Sequence, residues 1–137
     1  MVHSAAAVNA DIVAAFSDIN KRSARFLVAQ ISDDATSVNL AARGERDATF
    51  DDFIAAIPND EPRYGVFDLE FQTDDGRLVN KMVFVTYVPD TCSKMALKFN
   101  YANCKDTIKN KCSPVAKEIQ VNDRADLTFN EFKSNFM

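Results

Sequence analysis

The spacing of hydrophobic residues changes along the chain, and each spacing predicts a different element. Near the start, Ile12, Phe16 and Ile19 recur at helical intervals behind Asn9, and asparagine is a common residue at a helix N-terminus. The helix is followed by two apolar, strand-like stretches and the turn between them, at residues 25–31, 37–42 and 32–34. The first third of the chain therefore predicts one helix and two strands.

The middle of the chain predicts a second helix and a long hairpin. Thr49, followed by two aspartates, is typical of a helix start, and Pro58 ends the apolar helical pattern. Residues 63–71 then form a strand-like stretch in which Val66, Asp68 and Glu70 alternate with Phe67, Leu69 and Phe71. Residues 81–88 are apolar almost throughout. The sequence Asp74-Asp75-Gly76 between them is a turn signal. The second hairpin strand is expected to be covered on both faces of the sheet.

The remaining pattern completes a single domain over residues 1–137. It predicts a helical segment at 92–112, a short strand at 117–121 and a closing helix at 126–136. The resulting order of helices and strands is αββαββαβα, which favours an α/β (α+β) fold with a central mixed β-sheet and helices on both faces.

Composition and charge narrow the possible functions. The only histidine is His3, and the three cysteines do not form a close pair. Free thiols are therefore expected, and no histidine triad, metal site or cofactor is predicted. The net charge is −4, yet residues 77–117 contain 8 basic and 2 acidic side chains, a local balance of +6. A basic segment in an acidic chain indicates a surface directed at an acidic protein, an anionic lipid headgroup or a nucleic acid.

The basic segment has a helical pattern of its own. At 3.6 residues per turn, four lysines fall within an arc of roughly 60°. We call this set the lysine row; it consists of Lys94, Lys98, Lys105 and Lys109. An adjacent arc of roughly 80° contains the residues expected to pack on the sheet, namely Leu97, Tyr101, Cys104, Ile108 and Cys112. The pattern predicts an anion-seeking face along one side of a helix, although lysine stems on a solvated face would look similar.

Several segments resemble the ADF/cofilin family. Residues 62–72, with the sequence PRYGVFDLEFQ, are similar to a family strand, and residues 81–90 resemble the strand that follows it. Residues 101–111, YANCKDTIKNK, resemble the family's long helix, and residues 4–16 align with the family's N-terminal segment. Tyr87 stands where tryptophan is common in the family. The resemblance covers nearly the whole chain and implies the ADF-homology fold.

The resemblance also implies a function and its residues. It implies a monomeric cytoplasmic protein that binds actin monomers and filaments, and that severs and depolymerises the filaments. Implied monomer contacts are Ser4, Lys94, Lys98, Tyr101, Lys105, Asp106 and Lys109. Implied filament contacts are Arg77, Lys81, Glu131 and Lys133. Phosphoinositide headgroups are implied as ligands of Lys98, Lys105, Lys109 and Lys111. Ser4 aligns with a serine whose phosphorylation switches off actin binding in many family members.

Alternatives exist within and outside the fold. Coactosin-like proteins bind filaments without disassembling them, and residues 117–124 resemble theirs. Proteins similar to glia maturation factor act on the actin-branching complex. An enzyme is not expected, because the chain has no P-loop, no GxSxG motif and no glycine-rich phosphate cradle. Nucleic-acid and transmembrane functions are not expected either, since the chain lacks a strongly basic balance and any apolar run of roughly 20 residues.

Overall fold

A six-stranded mixed sheet organises the residues that the computed structural model describes, 7–32 and 36–136. Its strands are Ala7–Val8 (β1), Ala24–Ile31 (β2), Ser37–Glu45 (β3), Arg63–Gln72 (β4), Leu78–Tyr87 (β5) and Lys117–Val121 (β6). The spatial order is β1-β3-β2-β4-β5-β6. Only the outer pairs β1–β3 and β5–β6 are parallel. The helices are Ala10–Asn20 (α1), Phe50–Ala55 (α2), Met95–Lys111 (α3) and Phe129–Ser134 (α4).

Helices cover both faces of the sheet, as the sequence predicted. Helices α1 and α3 pack over one face, where Ile12, Phe84 and Ile108 belong to one buried cluster. Helices α2 and α4 pack over the other, where Phe53 and Phe132 belong to a second cluster. Because β4 and β5 lie between these layers, successive residues of each strand enter alternate clusters. This arrangement explains why residues 82–85 of β5 are all apolar.

Two predicted helix starts are confirmed by their caps. The side chain of Asn9 accepts a hydrogen bond from the Asp11 N–H at 2.9 Å, at the start of α1. The Thr49 hydroxyl accepts from the Asp52 N–H at 3.2 Å, and the Asp52 carboxylate accepts from the Thr49 N–H at 2.9 Å. This reciprocal pair satisfies two backbone donors that a helix N-terminus otherwise leaves free.

The predicted closing helix at 126–136 is wrong in its boundaries. A 3₁₀ turn, Arg124–Asp126, comes first, and α4 begins only after Thr128. The Thr128 hydroxyl accepts from the Glu131 N–H at 3.2 Å and so fixes the helix start. Strand β1 was not predicted, because its two residues are too few to show a periodicity and are defined by pairing with Ser37 and Val38.

Other boundaries shift by a few residues. Helix α3 begins at Met95 instead of residue 92, since Lys94 has an extended backbone. Strand β5 begins at Leu78, three residues earlier than predicted, and Asn80 donates to Glu70 of β4 at 3.1 Å. The predicted strand start had rested on a run of apolar residues, and such a run cannot indicate a polar pair between two strands. Strand β3 extends to Glu45 instead of ending at residue 42, and residues 33 and 34 of the predicted turn lie outside the described ranges.

The three cysteines are free, as their odd number and spacing predicted, and the structure shows that all three are buried. They lie under the start, the middle and the end of the α3 region, at Cys92, Cys104 and Cys112. Burial raises the pKa of the Cys112 thiol to about 12. These thiols are therefore part of the packed interior.

Thr86 carries a buried hydroxyl with no hydrogen-bond partner in the described part of the chain. The residue lies opposite Tyr64 in the hairpin and is 2% exposed. Because an unpaired buried hydroxyl costs free energy, we expect Thr86→Val to raise the free energy of unfolding by about 1 kcal/mol. Urea unfolding of Thr86→Val beside Thr86→Ala, which opens a small cavity, measures the effect. A loss of stability in Thr86→Val would contradict the expectation.

Candidate functional site

Helix α3 is fixed to the sheet by two buried tyrosines. The Tyr101 hydroxyl accepts a hydrogen bond from the Ile31 N–H of β2 at 2.9 Å. The Tyr64 hydroxyl of β4 donates to the Tyr101 main-chain carbonyl at 2.5 Å. Burial raises the pKa of both phenols, so both hydroxyls remain neutral. These bonds set the position of α3 and leave its opposite side free.

Tyr101 is therefore not a surface contact residue. Its side chain is 0% exposed, and its hydroxyl is already bonded to β2. The sequence pattern had placed it in the packing stripe, whereas the family resemblance implied a monomer contact. The structure supports the packing interpretation for the side chain, because a buried ring cannot contact a partner without leaving the core.

The lysine row lies along the border between α3 and solvent. Lys98, Lys105 and Lys109 are half-buried, and Lys94 is exposed just before the helix. The packing stripe predicted beside them is confirmed, since Tyr101, Cys104, Ile108 and Cys112 are buried and Leu97 packs against the same cluster. Helix α3 is continuous, so the angular relation between the two stripes holds along its length.

Two members of the lysine row are paired with one carboxylate. The Lys105 Nζ lies 2.9 Å from one oxygen of Glu118, and the Lys109 Nζ lies 2.7 Å from the other. Hydrogen bonds from Lys109 and then Lys105 lower the pKa of Glu118, and the same contact raises the pKa of Lys109. Glu118 is on β6, and sequence spacing alone could not connect it to α3. These two lysines are thus partly neutralised cations.

The outer side of α3 also carries two exposed apolar side chains. Met95 is 72% exposed and Phe99, one turn later, is 65% exposed. They project roughly 40° and 80° beyond the lysine row, on the side away from the core. Asp106, exposed near the middle of the helix, lies on the same side. The sequence analysis missed Met95 and Phe99, although the same helical projection would have found them.

A second basic surface lies on the opposite side of the sheet. Arg77 is at the hairpin tip, where its side chain is 74% exposed and contacts Asp75 at 3.3 Å. Lys81 lies below the tip, opposite Leu69, on the face that α4 covers. The Lys133 Nζ lies 5.9 Å from the centre of the Phe71 ring. Two of the predicted filament contacts, Lys81 and Lys133, therefore lie on the same face of the hairpin, and Arg77 lies at its tip.

Glu131 lies on a different side of α4 from Lys133. It lines a hollow beside β6 together with Ile119 and Val121, whereas Lys133 lies over β4. Residues two apart on a helix face nearly opposite directions. The structure thus separates the two charges of α4 that had been predicted to act together.

Comparison with known proteins identifies the family. The profile described as "Cofilin/tropomyosin-type actin-binding protein" matches residues 5–137. The chain belongs to this family. It is 35% identical to "Actin-depolymerizing factor 8" of Arabidopsis thaliana over 113 residues, which cover 82% of this chain and 80% of the relative.

Solved structures show how widely the cofilin fold is shared. The Streptomyces griseoflavus cofilin superposes with a TM-score of 0.86 at 24% identity, covering 95% of this chain and 96% of that one. A coactosin from Entamoeba histolytica superposes with a TM-score of 0.79 at 19% identity, covering 96% and 94%. At such identities the likeness concerns the fold alone. The ADF-homology fold is therefore confirmed, and the fold by itself does not separate cofilins from coactosins.

Some predicted features of a family member remain predictions. Ser4 lies outside the described residues, and its roles as a monomer contact and as a phosphorylation site stay predictions. Among the described residues, no group of histidine, cysteine and carboxylate side chains is arranged to hold a metal ion. None of the helices in the same ranges combines the length and apolar character that a membrane crossing requires.

Proposed function

We propose that this chain binds actin monomers through the outer surface of α3. The observation that supports it is the pair of exposed apolar side chains, Met95 and Phe99, beside Lys98. Large exposed apolar residues next to charged ones are typical of protein-binding surfaces. The helix itself is held rigidly by Tyr64 and Tyr101, so binding would require little reorganisation.

We further propose that the chain binds actin filaments through the second basic surface. Arg77 lies at the hairpin tip, and Lys81 and Lys133 lie on the face of the sheet opposite α3. A protein that contacts two actin subunits through two separate surfaces can strain the contact between them. We therefore propose severing and depolymerisation, by binding alone and without a catalytic step, in the cytoplasmic actin cytoskeleton. The relatives named actin-depolymerizing factors support this proposal.

Two regulatory inputs belong to the same proposal. Phosphoinositide headgroups would bind lysines of α3, at Lys98, Lys105 and Lys109 on the lysine row and at Lys111 on another side of the helix. Lys98 would be engaged before Lys105 and Lys109, because those two are already paired with Glu118. A phosphate on Ser4 would add about −1.5 to −2 charges to the N-terminal segment and would repel an acidic partner.

The test is the double variant Lys98→Ala/Lys105→Ala, compared with Lys21→Ala/Arg22→Gly. Both remove two positive charges, and glycine is tolerated at residue 22 because its φ is 63°. Filament sedimentation and imaging of single filaments give the readout. We expect the wild type and the control to shorten filaments and move actin to the supernatant, and the double variant to lose at least about tenfold in affinity.

Three other outcomes would contradict part or all of the proposed function. If the wild type pellets with filaments that stay long, the protein acts like coactosin. If the two double variants behave alike, the lysine row is not the contact surface. If the wild type does not bind actin, the proposed function is wrong.

A further inference from the structure

The side chain of Glu118 lies between β6 and the lysine row of α3. Its two carboxylate oxygens contact different lysines, one turn apart, at 2.9 Å and 2.7 Å. Glu118 is fixed at its base by the parallel pairing of β6 with β5, opposite Phe84. Its side chain is 28% exposed, and those of Lys105 and Lys109 are 30% and 37% exposed. The three groups thus form a cluster on a surface that remains open to a partner.

Glu118 orders two lysine side chains that would otherwise move apart. Two ammonium groups at positions i and i+4 of a helix repel each other, and each sits on a flexible four-carbon stem. Without a counter-ion they would spread apart and sample many rotamers. The carboxylate of Glu118 holds both ammonium groups at hydrogen-bond distance, and its own backbone is fixed in β6. It also reduces their combined charge from +2 to +1.

We propose that Glu118 is a positioning residue for the actin-binding surface and that it sets the preference of this surface for actin over anionic membranes. This inference rests on the proposed function. A protein partner binds more tightly when the two lysine side chains are already ordered, because they lose less conformational entropy on binding. A phosphoinositide headgroup depends instead on the number of free positive charges, and Glu118 reduces that number.

Three variants separate charge from geometry. Glu118→Gln removes the charge and keeps the shape, whereas Glu118→Asp keeps the charge and shortens the side chain, so that it no longer spans both lysines. The matched control is Glu45→Gln, which removes one negative charge and one ion pair, with Arg43 at 3.1 Å, on the distant strand β3. Because the Glu118 pairs are partly exposed, they contribute little to stability, and all three variants are expected to fold.

Two binding assays read out the effect. Actin-monomer affinity is measured with labelled monomers, and lipid affinity with phosphatidylcholine vesicles that contain or lack phosphatidylinositol bisphosphate. We expect Glu118→Gln to bind actin about fivefold more weakly, because two side chains must be ordered on binding. We expect the same variant to bind the anionic vesicles about fivefold more tightly, because one net positive charge is released. Glu118→Asp should lose actin affinity without gaining vesicle affinity.

Opposite changes for the two ligands would not arise from a general loss of structure, which would weaken both. If Glu118→Gln changes neither affinity, or changes both in the same direction, the inference is overturned. The proposed function then still stands, provided that Lys98→Ala/Lys105→Ala loses actin binding. If Glu45→Gln reproduces the vesicle effect, net charge alone explains it and the inference is again wrong. A wild type that does not bind actin overturns both.

Discussion

Phe99→Ala is expected to weaken the binding of actin monomers by about 30-fold, the effect of losing a binding hot spot. The Phe99 ring is 65% exposed in the free protein, so a partner that covers it would bury a large apolar surface. Because the ring contributes little to the core, the free energy of unfolding should change by less than about 0.5 kcal/mol. Monomer titration and thermal unfolding measure the two quantities independently.

Leu78→Ala is the matched control for Phe99→Ala. Leu78 is 68% exposed, but it lies on the hairpin, away from α3. Its truncation should leave monomer affinity within about twofold, because scattered exposed apolar residues are usually neutral. Equal losses in both variants would mean that exposed apolar area in general drives binding. An unchanged affinity in Phe99→Ala would remove the outer side of α3 as the anchor.

Arg124→Ala is expected to lower the free energy of unfolding by about 2–3 kcal/mol, since charge-assisted hydrogen bonds are the stronger ones. The Arg124 guanidinium donates to the carbonyls of Ile57 at 2.8 Å, Pro58 at 3.2 Å and Ile54 at 2.9 Å. It also lies 5.6 Å from the centre of the Tyr87 ring. One side chain thus satisfies the C-terminal end of α2 and connects it to the chain after β6.

Two further variants serve as controls for Arg124→Ala, namely Arg124→Lys and Arg77→Ala. Lysine keeps the charge but cannot bridge three carbonyls from one planar group, so we expect only partial recovery in urea unfolding. Arg77 is exposed at the hairpin tip, and its truncation should cost less than about 0.5 kcal/mol. If Arg124→Lys is as stable as the wild type, the charge matters and the planar geometry does not.

The resemblance to coactosin-like proteins at residues 117–124 now has a structural explanation. Val121 packs in the cluster under α4, Glu118 holds the two lysines of α3, and Arg124 holds the end of α2. These contacts position elements of the fold in this chain, so similarity in this segment does not by itself distinguish a coactosin-like protein from an actin-depolymerising one.

Local patterns in the sequence determined most of the fold. The helix starts at Asn9 and Thr49 were predictable because a cap depends on residues only two or three positions away. The hairpin was predictable because alternation and a turn signal are local as well. The two-residue strand β1 was not, because its existence depends on a partner 30 residues away, as in the pairing of Ala7 with Ser37.

The predictions for the candidate site differ in the same way: local sequence patterns determined some features, and contacts between distant residues determined the others. The sequence by itself determined that Lys98, Lys105 and Lys109 share one helix with a packing stripe, since the helical repeat fixes their angles. Lys94, the fourth lysine of the row, lies just before that helix. Only the tertiary structure decided which of them are available. It buried Tyr101 against β2 and placed Glu118 between Lys105 and Lys109. It also left Phe99 uncovered, because pairing and exposure depend on neighbours that are distant in the chain.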